Sequence, residues 1–155
     1  MRIGVTGHMN ITQDTARLVY QEISQILSAE TDLVGVSCIA RGADSVFARA
    51  VLDLGGRLEV VLPSRDYRER KVKPDHAEQF DEFLRRAEVR VMDFDTTGAE
   101  AYEAANDAVL SSCDRLIAVW DGMDSVRAGT GAVVAQARAK GVPVERVWPE
   151  GAERG

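Results

Sequence analysis

The sequence predicts an α/β protein in which one doubly wound, mainly parallel sheet carries helices on both faces. Short apolar segments alternate with helix-like segments along all 155 residues, as in strands joined by helical crossovers. The segment over residues 33–36 is almost continuously apolar, which is typical of a strand in a sheet covered on both sides. No linker, internal repeat or low-complexity tract interrupts the pattern. We therefore expect one domain over residues 1–149 and a frayed tail over residues 150–155.

The apolar runs predict the strands, each bounded by turn residues. They cover residues 2–6, 33–36, 58–62, 89–94, 116–120 and 142–148. The third strand ends at Pro63, because proline cannot donate a hydrogen bond to a sheet ladder. The charged segment that follows, up to Pro74, has no apolar period and is predicted to be a long loop.

Helices are predicted between the strands from apolar spacing and from residues that cap helix starts. The capping residues are Thr12 or Asp14, Asp44, Asp75 and Thr130. Gly55 and Gly56 end the second helix, and the last helix covers residues 131–140. An alanine-rich helix covers residues 99–112. Its small residues either pack in the core or supply the interface of a homodimer.

Composition restricts the class of partner. The formal net charge of −6 argues against broad, sequence-independent binding to nucleic acid or to an anionic membrane. No apolar run reaches the roughly eighteen residues that a membrane span needs. Two isolated cysteines make no disulfide framework, and no signal peptide is recognisable, so we expect a reduced, cytoplasmic protein. The histidines and cysteines have no metal-ligand spacing, so no metal site is predicted.

Turns of small residues follow three of the predicted strands. They occupy residues 5–8, residues 37–44, and residues 120–122 leading to 129–131. Because the carboxyl ends of parallel strands meet at one edge of a sheet, these turns are expected to lie together. Free backbone N–H groups and helix N-termini at such an edge bind anions. The pattern therefore predicts a ligand that carries phosphate.

The first and third turns offer groups for that ligand. Gly7 allows a close approach to the backbone, and His8 either hydrogen-bonds a phosphate or base or lies at the surface of a plain turn. Gly129, Thr130 and Gly131 present N–H groups and a hydroxyl at a helix start, which suits phosphate. Their segment lacks the lysine of a P-loop and a full G-x-G-x-x-G.

In the third turn, Gly122 follows Asp121, which is placed to accept from ribose hydroxyls or to hold a cation. In the second turn, Ser37 offers a hydroxyl, and Ala40 and Gly42 keep the loop small enough for a ligand to lie on its backbone. Arg41 either pairs with phosphate or extends into solvent.

A locally positive segment over residues 65–73 has two interpretations. Tyr67 stacks on a base while the neighbouring arginines meet phosphates, or the segment is a solvated loop.

The second and third turns carry a resemblance to known families. Residues 37–44, Ser-Cys-Ile-Ala-Arg-Gly-Ala-Asp, closely resemble the S-G-x-A-x-G-x-D stretch of the DNA-processing protein A (Smf/DprA) family. Residues 113–122, continued by Gly129-Thr130-Gly131, resemble the sDxxIalPGGxGT segment of the Lonely Guy (LOG) proteins. Together with residues 5–8, the chain resembles the SLOG superfamily over nearly its whole length. The resemblance implies a Rossmann-like fold that binds nucleotides, nucleotide-derived ligands or, in the DNA-processing branch, single-stranded DNA.

The resemblance does not extend to the LOG catalytic residues. LOG enzymes cleave the N-glycosidic bond of a nucleoside 5′-monophosphate with an arginine and a glutamate. The matching positions fall near Ala105 and Val133 in this chain. Neither side chain can activate water or stabilise developing charge.

The sequence thus predicts a cytoplasmic SLOG-like protein that binds a nucleotide or nucleotide-derived small molecule, as a sensor or carrier. No cofactor is assigned, apart from Mg²⁺ carried in by the nucleotide. Two alternatives stay open. One is a phosphoribohydrolase or other nucleotide hydrolase that uses a non-standard carboxylate such as Asp121 or Asp124. The other is a single-stranded DNA-binding module.

Overall fold

The strands form one all-parallel sheet in a computed structural model of the protein, which describes residues 1–123 and 129–155. Strands β1 to β6 cover Arg2–Gly7, Val34–Ser37, Arg57–Leu62, Ala87–Val91, Arg115–Val119 and Val144–Val147. Helices α1 to α6 cover Gln13–Ser28, Ala43–Asp53, Tyr67–Lys71, Pro74–Arg85, Ala99–Ser112 and Thr130–Ala139. The predicted α/β class is confirmed, and the sheet is entirely rather than mainly parallel.

The strand order is β4-β3-β2-β1-β5-β6, so the order reverses between β1 and β5. Gly4 is registered with Val36 on one side of β1 and with Leu116 on the other. In open parallel sheets the crevice outside the carboxyl ends of the strands at such a reversal is where ligands bind. This topology places the first and third predicted turns side by side.

Alternating strand residues build one core on each face of the sheet. On the first face, Ile3 and Val5 of β1 pack with Val19 and Ile23 of α1 and with Phe47 of α2. The same face continues under α4, where Phe80 and Phe83 cover the β3 side chains. On the second face α5 covers β2 and β3, and α6 covers β5. Helices on both faces explain why the central strand β2 is buried at every position.

The alanine face of α5 belongs to the core. Ala101, Ala105 and Ala108 are buried, and the last two pack against Val36 and Val61. Small residues on this helix let it approach the sheet closely. Of the two uses that the sequence left open, core packing is the one observed, and these alanines are not available as a dimer interface.

Three features differ from prediction in the region before and along β4. The segment predicted as a loop contains the short helix α3, which forms because Tyr67 is buried and packs on the Phe80 ring at 6.0 Å between centroids. The expected cap at Asp75 is wrong, because α4 already begins at Pro74, whose fixed φ suits the first helical position. The strand predicted over residues 89–94 begins earlier, at Ala87, because it pairs with β3 as soon as α4 ends.

The end of the chain is hydrogen-bonded to the rest of the protein rather than frayed. Arg154 forms an antiparallel bridge with Ile11, and the Glu153 N–H donates to the Thr15 hydroxyl at 2.6 Å. The Gly155 N–H donates to the Asn10 carbonyl at 2.8 Å. The expectation of a free tail is wrong because its backbone groups find partners at the start of α1, beyond the reach of a local sequence pattern.

Candidate functional site at the carboxyl edge of the sheet

The first turn is held against the second and third by its backbone. The His8 N–H donates to the Val119 carbonyl at 3.1 Å, and the Ala43 N–H donates to the His8 carbonyl at 3.1 Å. A Cβ at Gly7 would lie 2.4 Å from the Cβ of Ala43 and 2.8 Å from that of Val119. Glycine at this position therefore lets α2 begin directly beside β1 and β5, which brings the turns together as predicted.

The imidazole of His8 lies at the centre of this junction and is buried. Its Nε2 accepts from the backbone N–H of Asp121 at 3.2 Å and lies 3.3 Å from the Asp121 carboxylate. Its Nδ1 lies 3.4 Å from the Thr130 hydroxyl, and its ring meets Trp148 edge-on. Burial, reinforced by the positive charge of Arg154, lowers the pKa of His8 despite the nearby carboxylate. At neutral pH His8 is therefore uncharged, with its proton on Nδ1 facing Thr130.

The third turn is fixed by Arg146 of β6. The Arg146 guanidinium donates to the carbonyls of Trp120 and Asp121, each at 3.0 Å. Burial pushes the pKa of Asp121 upward, but the hydrogen bond from the Met123 N–H at 2.9 Å and the positive charge of Arg154 hold it below its usual range. Asp121 is thus an ionised carboxylate at the crevice. Gly122 lies against the Arg146 guanidinium at the start of this turn.

The second turn is closed by its own side chains. Ser37 is fully buried, and its hydroxyl accepts from the Ile39 N–H at 3.0 Å. Ile39 and Gly42 both have positive φ, and a Cβ at Gly42 would lie 2.5 Å from the Met9 carbonyl oxygen. Glycine is thus required where this loop crosses the first turn.

Asp44 is not the N-cap that the sequence predicted. Gly42 is the N-cap of α2, and Asp44 lies in the first turn of the helix with its carboxylate directed back to the Ala40 N–H at 3.3 Å. The positive φ of Gly42 starts the helix two residues early. Burial raises the pKa of Asp44 to about 7, although the Ala40 bond opposes the shift. A carboxyl group that titrates near neutral pH lies directly behind the loop.

Arg41 is directed away from the junction. Its guanidinium pairs with Asp75 of α4 at 2.6 Å. The pair lines a groove of about 930 Å³ between the first turn, α1, α2 and α4. The structure therefore places Arg41 beside the groove, and Gly7, His8, Gly42, Asp121 and Thr130 at the strand reversal.

The start of α6 completes the junction. The helix begins at Thr130, with Gly129 as N-cap and no side-chain capping bond, so the prediction that Thr130 caps a helix from Gly131 is wrong by one residue. The first N–H groups of a helix have no partner within it. Those of Thr130 and Gly131 point toward the carboxyl edge of the sheet, where the helix dipole favours an anion. Residues 124–128 lie outside the described residues. They include Asp124, a candidate for the carboxylate of a nucleotide hydrolase.

The positions that match the LOG catalytic residues are not at the crevice. Ala105 is buried under the sheet on α5, and Val133 packs with Leu110, Leu116 and Ala137. Both side chains fill the core of the second face.

The positive segment after β3 is neutralised by carboxylates. Arg68 is bidentate to Asp81 at 2.8 and 2.9 Å, and Arg65 pairs with Asp93 and Asp95. Tyr67, considered as a base-stacking residue, is in the core instead. The sequence shows the cations clearly, but their partners come from other elements and leave no local signal.

Three residues at the junction were not singled out from the sequence. Arg154 lies 3.9 Å from the Asp121 carboxylate, Arg146 holds the third turn, and His76 donates from Nε2 to the Ile39 carbonyl at 3.1 Å. Each contact joins residues far apart in the chain. No local sequence pattern reveals these contacts, because they depend on the order of the strands in the sheet.

The described part of the chain comprises residues 1–123 and 129–155. No cluster of three or more potential metal ligands occurs in this part of the chain. No helix there is long and apolar enough to cross a membrane.

Comparison with known proteins finds similarity in structure only. No protein-family model matches the chain, and no curated protein sequence matches it. The chain superimposes on DNA processing protein A from Streptococcus pneumoniae with a TM-score of 0.75 and 20% identity, over 96% of this chain and 50% of that one. The Helicobacter pylori protein, whose single-stranded DNA binding mode has been described, gives a TM-score of 0.72 and 17% identity over 99% and 68%.

A molybdenum cofactor binding protein from Rippkaea orientalis also superimposes, with a TM-score of 0.61 and 20% identity over 94% of this chain and 74% of that one. The chain shares its Rossmann-like, all-parallel α/β fold with these proteins. At these identities the likeness establishes the fold alone. The chain spans about half the length of the Streptococcus protein.

Proposed function

We propose that the protein binds a nucleotide or nucleotide-derived small molecule at the strand reversal between β1 and β5, as a sensor or carrier. The observation that supports this most directly is the meeting of the three turns at the N-terminus of α6, where the N-cap residue Gly129 supplies no capping side chain. An anion at this point would accept hydrogen bonds from the first N–H groups of the helix and interact favourably with the helix dipole.

The junction suggests a role for each group. Gly129, Thr130 and Gly131 would hold phosphate, and the Thr130 hydroxyl can donate to it because His8 donates to that oxygen from Nδ1. Asp121, held ionised, would accept from ribose hydroxyls or meet Mg²⁺ that arrives with the nucleotide. Gly7, Ser37, Ala40, Gly42 and Gly122 would shape the crevice, while Arg41 would reach only a ligand that extends into the groove. The molybdenum cofactor binding and carrier proteins with this fold support a small-molecule ligand.

The proposal can be tested by measuring the binding of a panel of nucleotides by thermal shift and calorimetry. A ligand at a hundredfold its Kd stabilises the folded protein by about 2.7 kcal/mol. Ala132→Glu would place a carboxylate in the first turn of α6 at an exposed position, where it favours the helix but repels phosphate. We expect at least about tenfold weaker nucleotide binding. Ala135→Glu adds the same charge to the same helix about one turn later and should bind as the wild type does. Equal binding by both variants would contradict phosphate at this helix.

Nucleotide hydrolysis is a second candidate, because His8 and the ionised Asp121 lie 3.3 Å apart beside the proposed phosphate position. A carboxylate so placed could position water or stabilise developing charge. Incubation with nucleoside monophosphates should release no free base or ribose phosphate if the protein is a sensor. Base release that Asp121→Asn abolishes would replace the sensor proposal with the enzyme.

Single-stranded DNA is less well supported as the ligand, although the Helicobacter pylori protein with this fold binds it. Arg41, Arg65 and Arg68 are paired with carboxylates, and the formal net charge is −6. We expect weak oligonucleotide binding at low salt that disappears at physiological salt. Tight binding that persists there would favour the DNA-binding alternative.

We further propose that residues 1–149 act as the nucleotide-binding domain and that the protein works in the reduced cytoplasm. The thiols of Cys38 and Cys113 are both free, and burial raises the pKa of each. Protonated, partly buried thiols react slowly, which suits a structural role.

A further inference from the structure

Strand β4 leaves one side of the sheet open. It is the terminal strand in the order, and its residues from Glu88 to Val91 are exposed. Val89 and Val91 are 44% and 43% exposed, although they are registered beside the buried Val60 and Leu62 of β3. An apolar row that begins in the core therefore continues to the edge of the sheet.

The hydrogen bonds of β4 show which of its backbone groups are open. The Met92 N–H donates to the Leu62 carbonyl at 2.9 Å, so Met92 faces β3. In a parallel pair the N–H and C=O of one residue point the same way and alternate along the strand. Glu88 and Arg90 therefore face β3 as well, and the N–H and C=O groups of Ala87, Val89 and Val91 point outward.

From this edge we propose that two copies of the chain pair through antiparallel β4 strands, with the two-fold axis at Val89. In this register Val89 lies opposite its own copy, and Ala87 lies opposite Val91. These are the residues whose backbone groups point outward, so each opposed pair can exchange two hydrogen bonds. The two sheets would then join into one of twelve strands, twice the six of one chain. The inference does not depend on the proposed ligand.

Side-chain charge favours this register over its neighbours. With the axis at Val89, Glu88 of each copy lies opposite Arg90 of the other, in the non-hydrogen-bonded pairs whose side chains are closest. An axis at Glu88 would oppose two glutamates, and an axis at Arg90 would oppose two arginines. Charges on an edge strand usually prevent pairing. Here their order, acid then base two residues apart, makes the strand complementary to itself.

Sedimentation over a concentration series tests the proposal. We expect a monomer–dimer equilibrium of modest affinity, because a five-residue strand buries less than the ~1,200 Å² of a stable interface. Arg90→Glu and Glu88→Arg each place like charges opposite one another and should weaken the dimer about tenfold or more. The double variant that exchanges both residues restores complementarity and should dimerise as the wild type does. A wild-type protein that stays monomeric at every soluble concentration overturns the proposal.

Two further experiments distinguish a loss of strand pairing from a loss of folding. An equimolar mixture of the two single charge variants should form a heterodimer, since every opposed pair then joins an arginine to a glutamate. The Val89 N–H points outward and makes no hydrogen bond to β3, and Val89→Pro removes it. This variant should therefore abolish the dimer while the monomer keeps its thermal stability within a few degrees. A dimer that survives Arg90→Glu and Val89→Pro unchanged would place the interface elsewhere.

Discussion

The backbone N–H of Asp121 donates to Nε2 of His8 at 3.2 Å and joins residues 113 apart in the chain. This bond couples the turn after β1 to the turn after β5 and fixes which nitrogen of the imidazole carries the proton. The other ring nitrogen, Nδ1, faces the Thr130 hydroxyl at the start of α6 at 3.4 Å. One neutral side chain thus connects the two central strands of the sheet to the helix that follows.

The pKa of His8 should be measurable directly, because the chain contains only two histidines. Burial and then Arg154 lower it, so in a proton NMR titration His8 should titrate below 6.5. Arg154→Met removes the second cause and should move the midpoint upward. A His8 midpoint that is unchanged in this variant would mean that Arg154 does not act on the ring.

The same shift makes a prediction for acid stability. The folded pKa of His8 is lower than the unfolded value of 6.5, so the unfolded chain binds more protons in that region. The free energy of unfolding should therefore fall as pH drops below about 6.5. His8→Gln keeps a polar side chain but does not titrate, and its unfolding free energy should depend less on pH there. Denaturant unfolding between pH 5 and 8 compares the two.

Asp44 affects the pH dependence of the free energy of unfolding in the opposite direction. Its pKa of about 7 in the folded protein, against 3.8 normally, favours the protonated carboxyl, and this stability is lost as pH rises through 7. Asp44→Asn keeps an acceptor for the Ala40 N–H and should be more stable than the wild type above pH 7, by at most about 4 kcal/mol. The difference should vanish near pH 4.

The close packing at Gly7 predicts a strong effect of one methyl group. Gly7→Ala would bring a Cβ within 2.4 Å of Ala43 and 2.8 Å of Val119, so the start of α2 must move away from the sheet. We expect a loss of about 1–3 kcal/mol in the free energy of unfolding. Gly98→Ala, at a site with open space around it, should cost less than about 1 kcal/mol. Equal losses would show that the close approach at Gly7 is relieved easily.

The attachment of the chain end rests on the hydroxyl of Thr15. Thr15 is fully buried, and its hydroxyl accepts from the Glu153 N–H at 2.6 Å and from Thr12 at 2.8 Å. Thr15→Val keeps the shape and removes the acceptor, which should cost about 1–3 kcal/mol. Amide exchange of Glu153 should accelerate at the same time. Thr31→Val, at an exposed position, serves as the control and should change neither quantity.

Much of the fold was predictable because its signals are local. The helix Ala99–Ser112 has the bounds expected from the sequence, and each predicted strand overlaps an observed one. Alternation of strands and helices was enough to predict a parallel sheet. The position of each strand in the sheet was not predictable, because it depends on contacts between residues far apart.

In the candidate site, too, the features with local signals were predictable and those that depend on distant contacts were not. The turns around Gly7 and Gly129 could be recognised from small residues after apolar runs. Aspartate is a common N-cap residue, which is why Asp44 was predicted to cap α2. The helix begins before it, because Gly42 with its positive φ is the N-cap. Tyr67 lies in a charged segment, yet burial under α4 decides its position. Arg154 lies in a polar end segment, and only its bonds to Asn10 reveal its place beside Asp121.

The central place of β1 has a consequence during synthesis. This strand is made first, but one of its two neighbours, β5, begins only at Arg115. At roughly 5–20 residues per second, about 5–22 s separate the end of β1 from the start of β5 at the ribosome. During that interval one long edge of β1 has no native partner. A nascent chain stalled before Arg115 should therefore be the form most dependent on chaperones.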